Sequence, residues 1–235
     1  MTQQQSRANL SYAVDIVLCI DVTQSMAPIL TSVKHSALSF PNRLAQEMAS
    51  KGRGISSLRL KVIAFRDYGD NPNDAMLESP FFVVPGELDR FEQAVRALNP
   101  AGGGDDPESG LEALALGLAS KWETGLDRRR HVVVMFTDAP AHPLGDPRQT
   151  RARTYPPSIP SSLDGLFTQW GYGQQSQGSI MEQSAKRLVI FAPETYPWTD
   201  IADEWNKTVF FPSVAGEGLQ EFEMSQIIAV VANSL

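Results

Sequence analysis

The chain of 235 residues carries 27 acidic against 20 basic side chains, a formal net charge of −7, 42% apolar residues and a single cysteine. That length suits one large α/β domain spanning 1–235 without forcing a second, Cys19 alone provides no disulfide framework and fits a reducing compartment, and the negative balance argues against non-specific nucleic-acid binding, which needs cations to displace counterions from phosphate. Apolar runs such as Phe81–Val84 and Ile227–Ala232 fall far short of the roughly 20 residues of a membrane-spanning helix, and the polar start Met1–Arg7 does not read as a secretion signal. The expectation is a cytoplasmic protein with neither a membrane nor a nucleic-acid partner. Two basic clusters, Arg128–Arg130 and Arg148 with Arg151 and Arg153, read as solvated surface, because neither has interleaved aromatics to stack on bases.

In chain order, apolar runs bounded by turn residues predict strands at Val14–Ile20, Leu58–Phe65, Phe81–Val84, His131–Phe136, Leu188–Ala192 and Val209–Phe211. Between them, amphipathic spacing predicts helices over Pro28–Met48, Leu88–Leu98, Ser109–Trp122, Met181–Arg187 and Leu219–Ala232. Strands that alternate with helices imply a mostly parallel, doubly wound sheet with helices on both faces, and Phe81–Val84, reached through the turn-rich Asp67–Asp74, is the expected antiparallel edge. Residues 139–177, rich in Pro and Gly, form a long loop insertion of the kind that is functional or mobile. Within it Tyr155, Trp170 and Tyr172 suit either an exposed recognition surface or anchors that pack the loop down.

Ligands of open α/β sheets bind beyond the carboxyl ends of the strands. Three such places are rich in short oxygen ligands: Asp21-Val-Thr23-Gln-Ser25 after the first strand, Gly102-Gly-Gly-Asp105-Asp-Pro-Glu108 before a helix, and Thr137-Asp138-Ala-Pro140 after the fourth. Hydroxyls and carboxylates from separate loops make a suitable cup for a hard cation such as Mg²⁺. Each residue also has a plainer reading. Ser25 suits a cap for a helix starting at Met26, and Asp106 before Pro107 suits an N-cap. Asp67 and Asp70 could support the rim of the site, and ordinary turn residues are the plainer reading; His142, just past Asp138, could reach a ligand, and an anchor for its loop is the plainer reading.

In that order and strand context, Asp21-x-Thr23-x-Ser25, the Gly-rich loop and Thr137-Asp138 resemble the von Willebrand factor A domain and its metal-ion-dependent adhesion site. Ala64-Phe-Arg-Asp-Tyr-Gly-Asp70, Gly103-Gly-Asp-Asp-Pro-Glu108 and Thr137-Asp-Ala-Pro-Ala-His142 are similar to bacterial and intracellular members. The resemblance implies a metal site of Asp21, Thr23, Ser25, Asp105 and Asp138 holding Mg²⁺, or Mn²⁺ or Ca²⁺ in its place. In it Thr23 and Ser25 touch the ion directly, while Asp21 and Asp138 act through water. Two positions depart from the family: Thr23 stands where Ser is usual, and Asp105 where the central loop usually supplies Thr. The second gives three carboxylates against +2, which should hold the metal firmly and make it a weaker electrophile toward a partner's carboxylate.

The function expected is a non-catalytic, metal-dependent protein-interaction module, a scaffold in an intracellular multi-protein system. No nucleophile and base pair is evident, since Cys19 lies inside a strand and Ser25 has no neighbouring His. The alternative is a Mg²⁺-dependent phosphotransferase resembling the haloacid dehalogenases and using Asp21 as nucleophile, although Thr137-Asp138 gives one carboxylate where that family has two.

Overall fold

Apolar runs too continuous for a half-exposed sheet set the architecture, because a parallel strand in mid-sheet must be buried on both faces. The computed structural model describes residues 10–28, 30–31, 40–102, 107–125, 128–172, 177–213, 229 and 232–233. Its strands are β1 (Leu10–Asp21), β2 (Arg53–Phe65), β3 (Met76–Glu78), β4 (Phe82–Val84), β5 (Arg129–Phe136), β6 (Lys186–Pro193) and β7 (Thr208–Ser213). They form one seven-stranded sheet in the order β3-β2-β1-β5-β6-β7, with β4 also on β2. All pairings are parallel except those of β3 and β4, which run antiparallel to Ile63–Phe65 and Leu58–Leu60 of β2. The edge therefore holds one short strand more than the sequence predicts.

Alternation sorts β1 onto two cores. Val14, Ile16, Leu18 and Ile20 face one, together with Leu44 and Met48 of α1 (Phe40–Ser50) and Phe91 and Val95 of α2 (Leu88–Ala97). Val17 and Cys19 face the other, with Leu111, Leu114 and Leu118 of α3 (Gly110–Leu118). Past the short α4 (Pro147–Thr150), that second core also takes Leu166 and Trp170 of α5 (Leu163–Trp170) and Trp198 and Ile201 of α6 (Trp198–Glu204). Among the described residues no helix is long and apolar enough to cross a membrane.

Several expectations shift. Residues 139–177 are not one loose loop: Ser162 Oγ accepts from Gly165 N at 3.1 Å to open α5, and Gly171, at φ 74°, closes it. Trp170 is fully buried, stacks on Trp205 at 5.5 Å and donates from Nε1 to Asn206 O at 3.1 Å. Tyr155 packs against Tyr68 at 5.1 Å, whereas Tyr172 is 47% exposed. Two of the three aromatics are thus anchors. The helix expected at Met181–Arg187 does not form. Ser179 Oγ and Gln183 Nε2 instead bond to Trp170 O, at 3.0 and 3.1 Å, in competition with helical pairing, and β6 begins at Lys186.

The helix expected from Ser109 ends at Leu118 rather than Trp122, whose Nε1 caps Leu118 O at 2.9 Å. Of Pro28–Met48, the helix α1 covers Phe40–Met48, and residues 29 and 32–39 lie outside the described residues, as does most of Leu219–Ala232.

Candidate metal centre

Parallel register brings the ends of β1 and β5 together: Ile20 stands opposite Phe136, so Asp21 emerges beside Thr137. Val22 N bonds to Phe65 O at 2.9 Å, which turns the chain away from the sheet just after Asp21. Here the carboxylate of Asp21, fully buried, accepts on Oδ1 from Thr23 N at 2.9 Å and Thr23 Oγ1 at 2.6 Å, and on Oδ2 from Thr137 Oγ1 at 2.8 Å. Asp138, also buried, accepts on Oδ1 from Ser25 Oγ at 3.0 Å. Thr23 Oγ1 and Ser25 Oγ lie 3.2 Å apart. Four of the five residues singled out in the sequence therefore form one chain of contacts, Asp21–Thr23–Ser25–Asp138, open to solvent at the exposed Ser25. Ser25 spends its hydroxyl on Asp138 rather than on capping.

A proton count shows what this cluster lacks. Each hydroxyl carries one proton. With Thr23 donating to Asp21 and Ser25 to Asp138, no proton remains for the contact between the two hydroxyl oxygens, so lone pairs face each other across it. The electrostatics agree. Burial lifts the Asp21 carboxyl to about 6, hydrogen bonds from Thr23 and Thr137 restrain the rise, and the nearby Asp138 charge adds to it. Two buried carboxylates and two converging hydroxyl oxygens make an all-oxygen, electron-rich site that fits a hard divalent cation. Among the described residues, no group of three or more His, Cys, Asp or Glu side chains is placed to hold a metal ion.

The fifth residue, Asp105, falls in 103–106 and lies outside the described residues, as does Asp106. Both flanks of that segment are nevertheless fixed. On one side Ala101 N bonds to Val22 O at 3.0 Å and Gln24 N to Gly102 O at 3.1 Å. Arg66, buried, holds the same flank by donating to the carbonyls of Ala101 at 2.8 Å and Asn99 at 2.9 Å. Gly102 sits at φ 72°, and a Cβ there would meet Asn71 Nδ2 at 2.7 Å, so a larger residue would be strained. On the other side Glu108 exchanges backbone bonds with Pro140 O and His142 N, each at 3.0 Å. That bridge delays the helix, which starts at Gly110 rather than near Pro107. The Gly-rich loop is thereby tied to the loops that carry Asp21 and Asp138.

Beside the centre lies a second polar network. Asp67 Oδ1 accepts from Gln149 Nε2 and stands 3.4 Å from His142 Nε2, while Ser109 Oγ donates to Gln149 Oε1 at 2.5 Å. Burial alone would raise the Asp67 carboxyl, but the bonds from His142 and Gln149 leave it below its ordinary value. His142 thus anchors its loop, as expected, and Asp67 is the buried acceptor that clamps residues 142–149, more than the turn residue predicted. Trp198 Nε1 fixes Ala139 O at 2.9 Å from a third direction. Sequence reasoning missed Thr137 as a positioning residue. Its signal was its place at the end of a core strand, directly before Asp138. Cys19 is buried, and burial pushes its thiol far up, away from nucleophilic use.

No protein-family model matches the chain, and no curated protein matches it. Solved structures do. Two structures of the pilus adhesin SpaC from Lactobacillus rhamnosus GG align with TM-scores of 0.52 and 0.53, at 11% and 12% identity, over 97% of this chain. Proximal thread matrix protein 1 from the mussel byssus aligns with a TM-score of 0.49 at 9% identity. The chain spans only 31% and 30% of the length of the two adhesin chains. At such identities the likeness to the adhesin establishes a shared mixed α/β fold with a mostly parallel sheet, and no chemistry.

Proposed function

We propose that the chain is a doubly wound von Willebrand factor A-type domain that binds a divalent cation, Mg²⁺ in the first instance, and engages a protein partner through it. The hydroxyl contact between Thr23 and Ser25, left without a proton by the two flanking carboxylates, is the observation that carries this reading. Thr23 and Ser25 would hold the ion directly, with Asp21 and Asp138 behind them and Asp105 supplied by the loop whose flanks join theirs. When bound, the ion supplies an electrophilic position for a partner's oxygen ligand. The third carboxylate makes ion binding firm and weakens capture of an acidic residue.

The reading is of a module without catalysis, acting as a scaffold in an intracellular assembly. Ser25 is engaged by Thr23 and Asp138 rather than by an imidazole, and Cys19 is a buried thiol, which supports this over a serine or cysteine nucleophile.

Electron paramagnetic resonance of Mn²⁺ tests the site, with one ion expected to bind per chain and to be lost in Asp138→Asn. An aryl phosphate assay with Mg²⁺ accompanies it. Free Mn²⁺ at every protein concentration, or phosphate release abolished in Asp21→Asn, would overturn the proposal, the second in favour of phosphoryl transfer.

A further inference from the structure

At the margin of the second core lies a pocket of about 140 Å³, lined by Tyr68, Met76, Glu78, Leu116, Thr154 and Pro156. Three segments meet there. Met76 and Glu78 are alternate residues of β3 and share a face, Leu116 stands in the last turn of α3, and Thr154 Oγ1 donates to Pro72 O, which ties residues 154–156 alongside them. Met76, Leu116 and Tyr155 also pack against the second core, so the pocket has a fixed floor.

The polar side chains in its lining end in oxygen, and none carries nitrogen. Thr154 has spent its one proton on Pro72 O, so its oxygen is left to accept. Glu78 accepts from Lys61 Nζ at 2.8 Å on Oε2, while its Oε1 has no partner among the described residues. Tyr68 is 1% exposed. Its backbone N–H bonds to Ser109 Oγ and Gln149 Oε1, but its hydroxyl has no hydrogen-bond partner among the described residues.

Behind this lining stands Glu112, fully buried and one helical turn before Leu116. Its Oε1 accepts from Tyr155 Oη at 3.2 Å, and its Oε2 has no hydrogen-bond partner among the described residues. Tyr155 lies between Thr154 and Pro156 in the chain, with its ring centroid 5.1 Å from that of Tyr68. Burial, and then the charges of Glu112 and Glu78, push the Tyr68 phenol up, so negative potential converges on its hydroxyl.

Acceptors without donors call for an occupant that brings N–H groups, and apolar walls suit a strongly hydrated metal ion poorly. We propose that this pocket binds a primary alkylammonium, the chemistry shared by a lysine side chain and a free alkylamine, with its nitrogen at Tyr68 and Glu78 and its chain against Met76, Leu116 and Pro156. An ammonium supplies three donors and is attracted to the face of a tyrosine ring. The size agrees, since a cavity of about 150 Å³ holds a benzene molecule, and butylammonium has fewer heavy atoms. A wider groove shares Glu78 and Leu116 with the pocket and gives the rest of a larger ligand a way out. The inference is independent of the metal site.

The test is a two-dimensional NMR titration of the isotope-labelled full chain with n-butylammonium, in chelator, with 1-butanol and butyrate as controls. Butylammonium is expected to give saturable shifts at Tyr68, Met76 and Leu116 that neither control gives. Its affinity should fall about tenfold in Tyr68→Phe, which removes a hydroxyl the fold leaves unpaired, and severalfold in Glu78→Gln. The same spectra establish that each variant is folded, and Tyr68→Phe decides alone if Glu78→Gln is not. Nα-acetyl-lysine methylamide, titrated in parallel, separates the two sources: both outcomes uphold the pocket, tighter binding than butylammonium assigning it to a protein lysine and weaker binding to a free amine. Equal binding of 1-butanol, or butylammonium affinity unchanged in the folded variants, would overturn the proposal.

Discussion

Two buried carboxylate networks lie side by side at the carboxyl ends of the strands, and they differ in what answers their charge. Around Asp67, an imidazole, an amide and a hydroxyl meet the carboxylate and one another, and the carboxyl stays ionised below its ordinary value. Around Asp21, among the described residues, hydroxyls and one backbone N–H answer, a second carboxylate stands close by, and the carboxyl is lifted to about 6. The first network is complete and clamps the insertion. The second is short of positive charge, which is the condition a cation would relieve. Burying an anion without a counter-charge lowers stability, a cost that the proposed cation would offset.

Substitutions in the two networks should therefore differ in sign. The largest effect belongs to Asp67→Ala, which leaves His142 and Gln149 without their buried acceptor. Urea unfolding should show a loss of about 3 kcal/mol, the same with and without Mg²⁺. Asp21→Asn should do the reverse in the absence of metal. A raised acid favours the protonated fold, so the wild type is at its best below about 4 and loses stability as pH rises through about 6. The variant, which cannot ionise, should be the more stable of the two at pH 8 by about 2 kcal/mol and show no such advantage at pH 4. Wild type more stable than Asp21→Asn at pH 8 in chelator would remove the contrast.

Glu112 sharpens it from inside the insertion contact. Its carboxyl is fully buried against Tyr155 Oη at 3.2 Å and is lifted by burial to about 7. With the same sign as Asp21, its contribution is present below about 4.5 and is lost as pH rises toward 7. Thermal unfolding of Glu112→Gln should accordingly fall less than wild type between pH 5 and 8, whether or not Mg²⁺ is added. The smallest effect expected is that of Thr137→Val. It removes the hydroxyl that orients Asp21 and should weaken Mn²⁺ binding about tenfold with little change in unfolding.

The strands and the grouping of Asp21, Thr23, Ser25 and Asp138 were legible because both follow local rules. Continuous apolar runs mark buried parallel strands, and short oxygen side chains directly after them mark the ligand-binding edge. Thr23, Ser25 and Asp138 needed no more than that. Asp67 was read as a turn residue because its partners His142 and Gln149 are distant in sequence, and a buried acceptor is defined by what surrounds it. The helix Leu163–Trp170 was hidden by its Pro-rich and Gly-rich flanks, although Ser162 and Gly171 stand where an N-cap and a C-terminal glycine belong.

The shift of the unfolding midpoint by Mg²⁺, measured for wild type, Asp21→Asn and Asp138→Asn at pH 8 and pH 5, separates a cation site from a packed acid cluster. A rise is expected for wild type at pH 8, a smaller one at pH 5 where protons compete for Asp21, and none in either variant. A wild-type midpoint that ignores Mg²⁺ at pH 8, or one that rises equally in the variants, would contradict the cation site.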